Sequence, residues 1–263
     1  MGVDSPGMTG TPESRALTRR LLRHCVAIYY NFRINDERRQ FVHTAFLLAV
    51  EGRWLLMTAG HCVREIETAR AQGGVLTQCM LIDSMGEGAV HYHPVPFPYD
   101  DAYPMHIGVN ERIDYGVLVP RENTCHLLAA NGIEPFDEDA WDTDPGEIQD
   151  LLLVGFPAEL NVLQGDRVTF TASMFRVTRY PERPEDFPEE EVDIYFYGRA
   201  IEHPLGTLRG CSGGPIVAIS PPDQEGTARY HLVAMQVSTL GRDIKGMLMP
   251  PLGQLIRELL RDS

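Results

Sequence analysis

Arg209-Gly210-Cys211-Ser212-Gly213-Gly214-Pro215-Ile216-Val217 is the stretch on which the reading of this chain turns. A serine flanked by glycines, followed by proline and an apolar run, describes a tight turn leading into a strand. Such a turn exposes the serine oxygen and aims neighbouring backbone N–H groups into one small volume. Acyl transfer asks for both: a nucleophile, and donors facing the oxyanion that forms beside it. Gly and Ser also dominate ordinary loops, so the turn alone is a weak signal. Its weight comes from Leu56-Met57-Thr58-Ala59-Gly60-His61-Cys62, far upstream, which sets a histidine at the end of an apolar run.

Serine and histidine together require a carboxylate that orients the imidazole and stabilises its charged form. Asp114, in Ile113-Asp114-Tyr115-Gly116-Val117-Leu118-Val119, heads an apolar, strand-like run that would bury it and fix its direction. Asp100 and Asp101 compete, but Pro98-Tyr99-Asp100-Asp101 is loop-like and has no apolar sequel.

The 263 residues, 43% hydrophobic and 23% charged, match a soluble globular protein of one large domain or two modest ones. A formal net charge of −14 argues against nonspecific nucleic-acid binding, which neutralises phosphates with Lys and Arg. No apolar run approaches about 18 residues, so no membrane span is expected. Met1-Gly2-Val3-Asp4-Ser5-Pro6 lacks the basic start and apolar core of a secretory signal. Cys25, Cys62, Cys79, Cys125 and Cys211 form no CxxC pair. They read as free thiols in a reducing compartment, and a cytoplasmic location is the expectation.

Residues 1–40 read as an N-terminal extension, helical at first, with Leu17, Leu21, Leu22 and Cys25 at helical spacing. A strand is already conceivable over 27–32. Residues 41–50 and 54–58 read as two strands joined by a tight turn at Glu51-Gly52-Arg53. Further short β-type runs fall at 75–82, 89–93, 115–119, 151–154, 167–175, 192–197, 216–219 and 230–237. Many short strands with few long helices indicate barrels or sandwiches, an all-β class. Residues 126–148 are acidic and read as the connection between halves, and 181–191 as an exposed acidic loop. An amphipathic helix closes the chain over 250–263, with Leu252, Leu255, Ile256, Leu259 and Leu260 on one side.

On these residues the chain resembles the chymotrypsin-like (trypsin-fold) serine peptidases, as a bacterial-type member. Thr58-Ala59-Gly60-His61-Cys62 is close to that family's Thr-Ala-Ala-His-Cys, and Asp114 heads an Asp-x-x-x-Leu run. Ser212 stands in Gly-x-Ser-Gly-Gly-Pro, Val154-Gly155-Phe156-Pro157 resembles the opening of a second barrel, and the order His, Asp, Ser agrees. The resemblance covers roughly 41–262. It implies two six-stranded antiparallel β-barrels, the first over 41–130 with His61 and Asp114. The second, with its linker, spans 131–249 and carries Ser212. It further implies a serine endopeptidase acting through an acyl-enzyme, on protein or peptide substrates and without cofactor. Ser212 would be nucleophile, His61 general base, Asp114 its orienting partner, and the N–H groups of Gly210 and Ser212 the oxyanion hole. Gly206 and Thr207 would lie near the base of the primary specificity pocket, and Ser238 on the strand that pairs with substrate.

Departures from the family pattern carry information too. Cys211 stands where trypsin-like digestive enzymes carry the aspartate that pairs with a freed N-terminus, so activation by N-terminal cleavage is not expected. Cys62 lacks its usual disulfide partner, which would lie near His43 or Thr44, and reads as a free buried thiol. Without Asp near Gly206, a small or apolar residue before the scissile bond is the expectation. An α/β-hydrolase also uses Gly-x-Ser-x-Gly, but it needs the order Ser, Asp or Glu, His. After Ser212 only His231 remains. His91, His93 and His106 match no common metal-ligand spacing, and no metal is expected. A rival from another class is a protease-like module that binds peptides or a partner without catalysis. On either reading, residues 1–40 are the candidate segment for docking a partner protein or covering the cleft.

Overall fold

The computed structural model describes residues 12–34, 37–83, 94–99, 105–107, 113–164, 167–190, 192–201, 205–223 and 227–261. The first half runs α1 (Pro12–Leu22), β1 (Cys25–Ile34), β2 (Glu37–Val50), β3 (Arg53–Thr58), α2 (Gly60–Ala71), β4 (Val75–Ile82), β5 (Val95–Pro96), β6 (Met105–Ile107), β7 (Gly116–Leu118) and α3 (Glu122–Ala130). The second runs β8 (Asp150–Gly155), β9 (Val162–Gln164), β10 (Arg167–Thr169), β11 (Ser173–Arg179), β12 (Tyr195–Ile201), β13 (Pro215–Ile219), β14 (Tyr230–Leu240), β15 (Asp243–Leu248) and α4 (Met249–Arg261). No described helix is long and apolar enough to cross a membrane.

The all-β reading holds, but the two-barrel expectation needs correction. β8, β11, β12, β15, β14 and β13 close into a six-stranded antiparallel barrel. The first half is instead an open antiparallel sheet in the order β5-β4-β1-β2-β3-β7-β6, with no pairing between β5 and β6 among the described residues. Its edge strands are two and three residues long. Pro94, Pro96 and Pro98 surround β5, and a proline has no N–H with which to extend a ladder. The strand expected over 89–93 lies outside the described residues.

A second correction concerns residues 1–40 as an extension. Helical spacing ends with α1, and β1 pairs with both β2 and β4 as a central strand. Its sequence, CVAIYYNFRI, is rich in β-branched and aromatic residues and is buried on both faces. Cys25, Ala27 and Tyr29 enter one apolar cluster while Val26, Ile28, Tyr30, Phe32 and Ile34 enter another, the period-two alternation of a strand. The run expected over 167–175 divides into β10 and β11, while α2, α3 and β15 were not anticipated. The 181–191 loop is docked rather than simply exposed: Phe187 is buried, and Glu190 pairs with Lys245 over the Tyr195 ring.

The halves share one core. Phe46, Met57 and Val117 from the open sheet join Val154, Phe156, Met235 and Met247 from the barrel, and Leu252 and Ile256 of α4 close the same cluster. Arg257 on α4 reaches Glu138 and Asp142, each at 2.8 Å, and covers the Trp141 ring.

Candidate active site

Strand pairing brings His61 and Asp114 together. Thr58 pairs with Gly116, the last rung between β3 and β7. Because the strands are antiparallel, the chain after Thr58 and the chain before Gly116 leave at the same end. His61 therefore starts α2 beside Asp114. Its Nδ1 lies 2.7 Å from Asp114 Oδ2, and its backbone N–H donates to Oδ1 at 2.7 Å. Two attachments fix the carboxylate against the ring. Arg64, one turn along α2, donates to the same Oδ1 at 2.7 Å.

Ser212 arrives from the barrel. Gly213 N–H donates to the Gln236 carbonyl and Gln236 N–H to the Gly214 carbonyl, both at 2.8 Å, which ties the turn to β14. Gly210 and Gly213 have φ of +92° and +87°, the left-handed region that L side chains rarely adopt. A Cβ on Gly213 would also collide with the Thr44 carbonyl and the Thr58 hydroxyl. That close approach is what sets the Ser212 turn of one half upon β2 and β3 of the other.

Thr44 is the clasp. Its hydroxyl donates to the Gly210 carbonyl at 2.6 Å and accepts from Phe156 N–H at 2.9 Å, while its own carbonyl accepts from the Thr58 hydroxyl at 2.8 Å. Among the described residues no hydrogen bond is made by the N–H of Gly210 or of Ser212. No hydrogen bond joins the Ser212 hydroxyl to His61 among the described residues. Such bonds are often long without substrate.

Of the substrate-binding candidates, Gly206 and Thr207 donate their N–H groups to the Glu159 carboxylate at 3.2 and 2.8 Å, and Ser238 is exposed on β14. Cys211 is buried inside the barrel cluster, and burial pushes its thiol up to about 12. It packs and takes no part in an ion pair. Asp100, Asp101, His91 and His93 lie outside the described residues, and only the backbone of His106, in β6, is described. Among the described residues no group of His, Cys, Asp and Glu is arranged to hold a metal ion.

Electrostatics set the protonation state. Burial would lower His61, but its hydrogen bonds and charge interactions with Asp114 and Cys62 outweigh this and raise it to about 10. Burial likewise works against Asp114, yet the His61 and Arg64 charges keep its carboxyl below the ordinary range. These interactions favour the imidazolium form, and His61 accepts the Ser212 proton only with one ring nitrogen free of hydrogen.

Sequence reasoning missed Thr44, Arg64 and Glu159, and with them Tyr30, His43 and Glu65 behind Cys62. Only His43 and Thr44 left a signal, standing where a disulfide partner for Cys62 is expected. The others are ordinary residue types at positions without a motif.

No protein-family model and no curated protein sequence matches the chain. Among solved structures, an HL collagenase is 14% identical, over 91% of this chain and 94% of that one, with a TM-score of 0.52. Protease Anisep from Arthrobacter nicotinovorans is 14% identical over 86% and 90%, with a TM-score of 0.48. Serine protease AL20 from an extremophilic microorganism is 13% identical over 89% and 94%, also at 0.48. The chain is similar in fold to chymotrypsin-fold serine proteases, at low identity.

Proposed function

We propose that the protein is a serine endopeptidase. Ser212 attacks the carbonyl, His61 takes its proton and later gives it to the leaving amine, and Asp114 holds the ring. Gly210 and Ser212 N–H groups receive the oxyanion, and water then releases the acyl-enzyme. The observation that carries this reading is the His61–Asp114 pair at 2.7 Å, set at the end of the sheet where Thr44 clasps the Ser212 turn. A small or apolar residue before the scissile bond, with Gly206, Thr207 and Ser238 lining the substrate site, belongs to the same proposal. So does action in the cytoplasm. A fluorophosphonate probe should label the wild type and not Ser212→Ala, at alkaline pH if not at neutral. Absence of labelling at any pH would count against it.

One observation favours the second reading, a module that binds peptides without cleaving them. Hydrogen bonds and charge interactions with Asp114 and Cys62 raise His61 toward its charged form, which weakens it as a base at neutral pH. Peptide capture by wild type and Ser212→Ala alike, with no cleaved product, would support that reading. Cleavage of a proteome-derived peptide library would exclude it.

A further inference from the structure

β14 sends its side chains alternately to the two sides of the barrel wall. Met235 and Val237 enter the core shared by the halves, whereas Ala234 enters the barrel cluster with Leu208, Cys211, Ile216 and Ile244. Gln236, two residues after Ala234, belongs to that inward row. Its neighbours on both sides are glycines. It pairs with Gly246 of β15, and its backbone N–H and carbonyl bond to Gly214 and Gly213 of the serine turn, both at 2.8 Å. A Cβ on Gly246 would meet Ala234 and Ile216, which sets this side of the rung inside the barrel. The register then breaks at a bulge between Gln236 and Ser238, and Ser238 is exposed. Gln236 is thus the last inward residue of β14 before the cleft, beneath the turn that carries Ser212.

A carboxamide is a costly occupant of such a place. Gln236 is 0% exposed, and neither its Oε1 nor its Nε2 has a hydrogen-bond partner among the described residues. A buried amide without partners destabilises a fold, whereas an apolar group of the same shape does not. With glycine on either side, no side chain on its own rung can answer it. Binding pockets hold a few placed polar groups within apolar walls, and those groups are satisfied by the ligand. Beside this one runs the segment 205–209. Gly206 and Thr207 are exposed and donate to the exposed Glu159 carboxylate, while Leu208 turns into the barrel cluster.

We propose that Gln236 is a specificity-determining residue: its amide is the polar floor of the pocket beside Ser212 and selects asparagine, a small residue with a carboxamide, before the scissile bond. Two carboxamides set head to tail form two hydrogen bonds, each giving one N–H and accepting one. A small aliphatic residue would leave the Gln236 amide unpaired, and a carboxylate would have no donor for its Oε1. A charged residue would also lose its hydration among Leu208, Ala234 and Ile244. Entry runs past Leu208, which yields its place in the cluster to the substrate side chain. The inference rests on the serine-peptidase reading and narrows its small residues to one.

A proteome-derived peptide library, cleaved by the full chain and by Gln236→Leu, reads the preference. Wild type should cleave after Asn about tenfold or more above Ala, Val or Leu, and Gln236→Leu should lose that preference. Because the substitution removes an unpaired amide, its urea midpoint should hold or rise. Gln236→Met, which keeps the length without the amide, reports if the leucine variant does not fold. Wild-type cleavage without preference for Asn, or an unchanged preference in a folded variant, overturns the proposal. So does a urea midpoint that falls in both variants, since the amide would then be satisfied within the barrel. Binding is read separately in Ser212→Ala, by NMR titration with N-acetyl-Ala-Ala-Asn and N-acetyl-Ala-Ala-Val. The Asn peptide should bind about tenfold more tightly, and adding Gln236→Leu should remove the difference. Equal binding of the two, or binding of neither, counts against Gln236. If the difference is present and wild type cleaves nothing in the library, the peptidase reading fails while the role of Gln236 in recognising Asn stands.

Discussion

Thr44 of β2 holds two further backbone segments, at Gly210 and Phe156, through one hydroxyl, and no motif marks it. Removing that hydroxyl leaves the Gly210 carbonyl and Phe156 N–H without their partner at a buried position. Thr44→Val should therefore cost about 1–3 kcal/mol, measured by urea unfolding, and Thr44→Ser should recover most of it. Because the clasp sets the Gly210–Ser212 turn, the valine variant should also label more slowly with fluorophosphonate than the serine variant. Unchanged stability in Thr44→Val would show that the clasp contributes nothing. Arg64, on the Asp114 carboxylate, predicts a shift of its own in an NMR titration of His61. Its guanidinium is half exposed and sits on the Asp114 carboxylate, so Arg64→Gln removes a positive charge beside His61. The His61 midpoint should rise, by less than about one unit because solvent screens the pair, and a fall would refute this placement.

At the level of elements, α2 is held to β2 by groups that titrate together. His43, raised to about 9 from an ordinary value of 6.5, contributes stability that is complete below pH 6.5 and is lost as pH rises through 9. His61 acts in the same sense up to about pH 10. Cys62, lowered to about 6 from 9.0, acts in the opposite sense: its contribution is complete above 9 and is lost as pH falls through 6. Two groups that bind extra protons outweigh one that releases a proton, so stability should decline between pH 7 and 10. In His43→Gln the decline should be shallower, as read from urea midpoints across that range; an equal slope in both proteins would contradict it. Little of this was legible beforehand. β4 ran from 75 to 82 as expected, since an apolar run bounded by glycine and aspartate announces itself. α2 did not, because its first turn is the motif Gly60-His61-Cys62, where the eye stops at the chemistry. β1 was read mainly as the tail of a helix. Leu21 and Leu22 have helical spacing with Cys25, and only pairing with β2 and β4 decides for strand.

For the molecule as a whole, the shared core makes the halves one cooperative unit. Ile256 is 1% exposed and packs, with Leu252, into the cluster built from both halves. Ile256→Ala should cost about 2–5 kcal/mol and lower the stability of the open sheet and the barrel alike. Trp54 in β3 reports on the sheet, and Trp141 on its contact with α4. Tryptophan fluorescence and far-UV circular dichroism should trace one coincident urea transition in wild type and variant. Two separated transitions would show that the halves unfold independently.

By itself the sequence determined an all-β chain, the order His61, Asp114, Ser212, and a glycine-framed turn before β13. Local patterns carry these: period-two burial, an apolar run ending in histidine, and glycines where φ must be positive. Only the tertiary structure decided that the first sheet stays open and that β1 lies inside it, between β4 and β2. It alone set Thr44 and Gly213 against each other and buried the Cys62 thiol beneath the Ser212 carbonyl. Those features come from pairings between distant segments, and the residues that make them follow no local period. Whether a histidine is a base or a held cation depends on the charges that the fold packs around it, not on its neighbours in the chain.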